Sequence, residues 1–312
     1  MHCIDCCNSC TAFKAISLLL HLQYISMLHN KMPELSKGQK RIANFLIEHY
    51  DKAVYLTASK LGEIAGVSES TVVRFAIELG YDGYPKLQRA VEELVKNKLT
   101  ASQRMEVSYD RMQKEDKHIL KAILEGDEDR IHSTLNDIDT DEFDKAIEYI
   151  LKAKRIYIVG GRSASALSNF LSFYLNLMLD NVINASSSTT TETFEQIFRI
   201  EEGDVLIGIS FPRYSNKTVK AMEYAYNQGA KTIAITDGKF SPMVKSATVG
   251  LIARSDMVSF VDSLVAPLSL INAILVSISM NRKDKIVDSL DKLERMWGEY
   301  QVYSSTNLKK YL

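Results

Sequence analysis

The chain has 312 residues, 46% apolar and 25% charged, enough length and apolar content for two domains with real cores. Its formal net charge of -1 excludes overall charge as a guide to partners. Between 27 and 100 it carries 11 Lys and Arg against 9 Asp and Glu, about +2, so any affinity for nucleic acid has to come from local placement rather than a strongly basic domain.

All four cysteines, Cys3, Cys6, Cys7 and Cys10, fall within the first ten residues. Their Cys-x-x-Cys pairs interleave without the long loop usual in structural zinc sites, so a tetrahedral cage would be strained and no metal is expected. The following AISLLLHLQYISML is too short and interrupted for a membrane span, and Lys14 is its only basic lead-in. The rest of the chain has no cysteine, which suits a reducing cytoplasm.

Next, SKGQKRIANFLIEHY spaces Ile42, Phe45, Leu46 and Tyr50 as one face of a helix, with Lys40 and Arg41 on its polar side. In TASKLGEIAGVSESTVVRFAIELGYDGY, a short helix carries Leu61, Ile64 and Ala65 on its apolar face. It breaks at Gly66, where a positive φ costs nothing. Ser68 stands at the N-cap of a second helix, where its hydroxyl can accept an early backbone N–H. In that helix Val72, Val73, Phe75, Ala76 and Leu79 form the buried stripe, leaving Glu69, Ser70, Thr71 and Arg74 outward near the start. A recognition helix enters the major groove by its N-terminal residues. The DNA-contacting candidates are therefore Ser68, Ser70, Thr71 and Arg74, the guanidinium being able to bond two acceptors of guanine at once.

The segment GQKRIANFLIEHYDKAVYLTASKLGEIAGVSESTVVRFAIELGYDGYPKLQ resembles the N-terminal domain of the RpiR (MurR) family of bacterial transcriptional regulators. The resemblance begins only around Met27, so we expect Met27 to be the true first residue and 1–26 to be a non-native or disordered extension. It implies a helix-turn-helix domain over 27–100 that binds operator DNA, and a sugar isomerase (SIS) domain further along. Residues 101–140, polar and charge-rich, are expected to form a linker and leading helices.

From Arg155 the period changes. The runs RIYIVG, NVINAS, DVLIGIS, KTIAITD and VGLIA alternate with helical stretches, including RSASALSNFLSFYLNLML, YSNKTVKAMEYAYNQGA and VSFVDSLVAPLSLINAILVSIS. The expected fold is α/β with an all-α N-terminal domain: a helix-turn-helix bundle, then a doubly wound, mostly parallel five-stranded sheet over 141–312. Ligands in such sheets bind outside the carboxyl ends of the strands. After the first strand come Gly161, Arg162, Ser163 and Ser165; after the third come Ser210, Arg213 and Ser215. Small residues admit a ligand close to the backbone, helix N-termini offer free N–H groups, and each arginine can clamp a phosphate or carboxylate with two bonds. Those seven residues are the ligand-binding candidates, and the hydroxyl run Ser186 to Thr191 is a third patch.

This half resembles SIS domains over roughly 141–280, whose loops read Gly-x-Gly-x-Ser and Ser-x-Ser-Gly-x-Thr and hold a phosphosugar. Here Arg162 stands at the second Gly, Ala164 at the Ser, and Pro212 and Arg213 at the inner Ser-Gly pair, so the expected effector is a small anion, a phosphosugar or a sugar acid. All six histidines lie at or before His132. A proton-transfer mechanism would rest on Glu192 or Glu195, which read as a helix start and its solvated face; a sensor without catalysis or cofactor is expected, the alternative being a sugar phosphate isomerase with an accessory helical domain. One helix-turn-helix covers a half-site, so a homodimer, or a homotetramer through the SIS half, is expected, with 170–179 and 261–278 as core or interface helices.

Overall fold

The computed structural model describes Leu28, 31–49, Ala53, 56–95, 100–102, 104–105, 108–109, 118–239, 241–256 and 258–302. The cysteine cluster, the AISLLLHLQYISML stretch, the expected start at Met27 and Tyr50 all lie outside these residues. The chain divides into two compact units between 117 and 118, with 257–261 grouped with the first. The region expected to connect the domains is thus shared between the units.

The first unit is helical. Helix α1 (Lys37–Glu48) starts in a capping box, the Gln39 N–H donating to Ser36 Oγ and the Ser36 N–H to Gln39 Oε1 at 2.9 Å. Its buried stripe is Ile42, Ala43 and Leu46, with Phe45 half-buried. Helices α2 (Ala58–Ala65), α3 (Glu69–Glu78) and α4 (Tyr84–Val95) follow. In α2 the apolar face is Leu61, Gly62 and Ala65; Ile64, expected there, is 46% exposed. The reason is a close approach: a Cβ on Gly62 would stand 2.8 Å from the Val67 carbonyl oxygen, so α3 packs over Gly62 and Ile64 falls on the open side. Leu61, Val72, Phe75, Ala76 and Leu87 join α1 in one core. Tyr84 pins α4, its phenol donating to the Leu56 carbonyl at 2.8 Å, and burial pushes that phenol's pKa well up.

The second unit is a five-stranded, all-parallel sheet between helical layers. It opens with α5 (Ile119–Asp137) and α6 (Thr140–Lys152), the latter capped by Asp139, whose carboxylate accepts the Asp141 and Glu142 N–H groups. Strand β1 (Ile156–Gly160) leads to α7 (Ala164–Met178), then β2 (Val182–Asn184), α8 (Thr190–Ile197), β3 (Val205–Ile209), α9 (Asn216–Asn227), β4 (Lys231–Thr236), β5 (Val249–Ile252), α10 (Val265–Asn281) and α11 (Lys283–Glu299). The order across the sheet is β2-β1-β3-β4-β5, with Ile156 opposite Val205 and Gly160 opposite Ile209. Alternation sends Ile156, Ile158, Ile207 and Ile235 to a core with α6, α7 and α10. Tyr157, Val159, Leu206 and Ala234 go to a second core with α8 and α9. That is why the strands read as unbroken apolar runs.

Each of the five expected strands is present. The last apolar helix begins at Val265, later than its sequence suggested, because 258–264 forms bends and a bridge ahead of it. Helix α11 was not anticipated at all. Among the described residues no single helix is long and apolar enough to cross a membrane.

Candidate functional site

The turn between α2 and α3 is built by a glycine and an arginine. Gly66 ends α2 at φ 64°, a left-handed conformation that only glycine adopts cheaply. The Arg41 guanidinium on α1 donates to the Gly66 carbonyl at 2.8 Å, tying the turn to the supporting helix. Arg41 is therefore more than a solvated charge. Ser68 is the N-cap of α3, but its side chain makes no cap hydrogen bond; its Oγ lies 2.9 Å from both Ser70 Oγ and Thr71 Oγ1. The local hydroxyls satisfy one another, leaving the early N–H groups of α3 unclaimed by that side chain. Ser68, Ser70 and Arg74 are exposed and Thr71 half-buried, all on the start or outer face of α3, while Val72, Phe75 and Ala76 are buried. Val73, placed in the buried stripe by its spacing, is only half-buried.

In the sheet unit the strand order reverses between β1 and β3. There the chain leaves neighbouring strands in opposite directions, the position at which open parallel sheets have a crevice outside the strands' carboxyl ends. The two loops meet closely: a Cβ on Gly161 would stand 2.6 Å from Ser215 Oγ. Ser215 caps α9, accepting from the Thr218 N–H, and its own N–H donates to Ser210 Oγ at 3.0 Å. Ser210 is thereby buried beneath the loop. Ser165 donates to the Arg162 carbonyl at 2.6 Å, so its hydroxyl is spent on shaping the first loop. Ser163 is exposed at the start of α7 and caps nothing.

The hydroxyl run belongs to the same crevice. Ser186 Oγ accepts the Gly160 N–H at 2.8 Å and bonds Ser168 Oγ at 2.8 Å, stapling the end of β1 to α7. Ser187 donates to Glu192 at 2.6 Å, and Lys217 in the first turn of α9 donates to the Ser187 carbonyl. Lys217 was missed in the sequence. Its signal was a cation two residues after the capping Ser215, which the search for Gly and Ser passed over. Glu192 sits in the first turn of α8; the hydrogen bond from Ser187, then Thr189 and the charge of Lys217, hold its carboxyl below the ordinary value. Glu195 is exposed.

Arg162 and Arg213 share an unusual backbone. Their φ angles are 57° and 61°, and with Gln301 they are the non-glycine residues of positive φ among those described. Both side chains are exposed, and the Arg162 guanidinium makes no ion pair among the described residues. Beneath the loops, Thr218 Oγ1 is buried without a hydrogen-bond partner, close to Gly161. Among the described residues no cluster of His, Cys, Asp and Glu is arranged to hold a metal.

Residues 22–98 match the model of the helix-turn-helix domain of the rpiR family, and 149–277 match the SIS domain model. An uncharacterised helix-turn-helix-type transcriptional regulator of Caldanaerobacter subterraneus subsp. tengcongensis is 22% identical over 275 residues, 86% of this chain and 94% of that protein. Another, of Clostridium perfringens, is 24% identical over 223 residues, 71% of this chain and 78% of the relative. Among solved structures, the Vibrio vulnificus NanR protein complexed with ManNAc-6P superposes with a TM-score of 0.56 at 19% identity, covering 90% of this chain and 99% of its own. The sugar isomerase domain of an RpiR transcription factor from Sphaerobacter thermophilus superposes with a TM-score of 0.53 at 26% identity, covering 57% of this chain and 99% of that domain.

Proposed function

Since the chain belongs to the RpiR family of helix-turn-helix transcriptional regulators and carries a SIS domain, we propose that a small phosphorylated carbohydrate, bound in the β1–β3 crevice, controls its hold on operator DNA. The observation that carries this reading is the meeting of the two loops at the switch point. The Gly161 loop lies against Ser215 and Lys217 reaches the Ser187 carbonyl, and with Arg162 and Arg213 on those same loops these groups would suit an anion. That NanR is complexed with ManNAc-6P supports a phosphosugar in particular. Gly161, Arg162, Ser163 and Ser215 would line the ligand, joined by Lys217, while Ser165 and Ser210 hold the loops in shape. The domains would run as 27–100 for DNA and 141–312 for the effector, in a cytoplasmic protein.

On the DNA side, the start of α3 would enter the major groove with Ser68, Ser70 and Thr71 at phosphates or base edges and Arg74 at a guanine. Arg74→Ala is expected to weaken specific binding by about 1–3 kcal/mol without changing the melting temperature, read by gel shift on the DNA upstream of its own gene. A half-site per α3 calls for a homodimer or homotetramer. The outward faces of α10, with Val276 56% and Met280 76% exposed, supply apolar area for it.

We read the SIS half as a sensor rather than an isomerase. No histidine follows His132, and Glu192 is engaged by Ser187 and kept ionised, a poor proton donor near neutral pH. Titrating a panel of phosphosugars and sugar acids into the gel shift tests the whole proposal. A compound that changes the shift supports it, and a specific shift that no compound alters leaves the effector role without support.

A further inference from the structure

Helix α5 has no buried residue along its 19 positions, yet one side of it is held in place. Asp127 accepts the Ser263 hydroxyl at 2.6 Å, and Thr134 Oγ1 accepts the Arg254 N–H at 2.9 Å. The helix packs beside α10, and Ala122, Ile123, Gly126 and Arg130 are half-buried along with Asp127 and Thr134. The next sector of α5 is apolar and open to water. Leu120, Leu124, Ile131 and Leu135 are 60%, 59%, 41% and 68% exposed. At about 100° per residue their spacing keeps them within about 60° of one another. Beyond them the exposed positions are polar: Lys121, Glu125, Glu128, Asp129 and His132. An apolar stripe with a charged rim is the pattern of a protein–protein contact.

The symmetry of the stripe says what covers it. Leu120 lies as far before the point between Asp127 and Glu128 as Leu135 lies after it, and Leu124 as far before it as Ile131 after it. A two-fold contact requires that when residue i meets j, j also meets i. Any stripe matches its own copy in a parallel pair. This one also matches in an antiparallel pair, where the two helix dipoles attract. Leu120 then packs on Leu135 of the partner subunit, and Leu124 on Ile131 of the partner subunit. Glu128 and its copy fall beside the axis on the exposed rim, where salt screens like charges.

Four partly exposed side chains fall short of the roughly 800 Å² per partner that a stable dimer buries. Helix α10 supplies more. It carries no charged residue over its 17 positions and leaves Val276 and Met280 exposed. A helix that is apolar all round belongs in an interior, here one completed between subunits.

We propose that α5 pairs antiparallel with the α5 of a second copy of this chain, at the centre of a two-fold interface that α10 extends. This deepens the homodimer expected from the DNA side by assigning its contact and its orientation.

The test is sedimentation velocity of the full chain carrying Leu124→Glu, of the full chain carrying Ile131→Lys, and of an equal mixture of the two. Both positions are exposed, so each variant should keep the parent's melting temperature. Alone, each should weaken the dimer at least tenfold, because the substitution occurs twice across the axis. Mixed, they should recover a heterodimer near the parent's affinity. In it one contact sets the introduced carboxylate against the introduced ammonium, and the other keeps the native Leu124 and Ile131 pair. Variants that self-associate like the parent overturn the inference while leaving the homodimer standing. Variants that weaken without recovery on mixing overturn it too, since a parallel pair gives that result. A parent that stays monomeric overturns the α5 interface and the expected homodimer together.

Discussion

Gly160→Ala is expected to destabilise the sheet unit by about 3 kcal/mol and to abolish the effector response. A Cβ there would lie 2.7 Å from the Ala164 carbonyl oxygen, 2.8 Å from Ser168 Oγ and 2.9 Å from Ser168 Cβ. The oxygen belongs to the backbone of α7 and cannot rotate aside. Relief therefore requires moving the first turn of α7 away from β1, and overpacking of this kind costs about 1–3 kcal/mol, occasionally more. The same movement pulls Ser168 from Ser186, whose hydroxyl also accepts the Gly160 N–H at 2.8 Å, so the end of β1, α7 and the loop after β2 lose their common staple. A urea melt gives the stability change, and a gel shift with effector gives the response. A variant as stable and as responsive as the parent would show that the loop is not held as described.

Asp204→Ala is expected to cost a similar amount, about 2–4 kcal/mol, with the opposite functional signature. Asp204 precedes β3 at the amino end of the sheet and is fully buried. Its carboxylate accepts Arg155 Nε at 3.1 Å, Arg155 Nη2 at 2.7 Å and the Glu201 N–H at 3.0 Å. That pairing raises the guanidinium pKa of Arg155 above its ordinary value. Removing one partner of a buried pair leaves the other uncompensated, which costs about 3–5 kcal/mol. Arg155 keeps 32% of its side chain in water, so we place the cost toward the lower end. The crevice lies at the other end of the strands. Once folded, the variant should retain its DNA affinity and effector response, and a lost response in a folded sample would contradict this placement.

The two predictions differ because opposite strand ends do different work, and neither end was fully legible in the chain. The central strands β1 and β3 were readable because burial on both faces removes polar residues from them, while the edge strands β2 and β5 are only partly buried. The helix-turn-helix was readable because Gly66 and the stripe of α3 are set by near neighbours. Ile64 was misassigned for a nonlocal reason, since α3 crosses α2 over Gly62 and decides which face is covered. Ser68 occupies the N-cap as expected, yet its hydroxyl chose Ser70 and Thr71 over the backbone, a competition that spacing does not resolve.

Composition and periodicity by themselves determined the five strands, the order of the elements as far as α10, and which loops stand at strand ends, because each depends on residues a few positions apart. Tertiary structure alone brought Gly161 against Ser215, carried Lys217 to the Ser187 carbonyl, and held Arg162 and Arg213 at positive φ. These features follow from the parallel order β2-β1-β3. It sets loops far apart in sequence side by side, and the packing around them fixes backbone angles that the local residues would not adopt unaided.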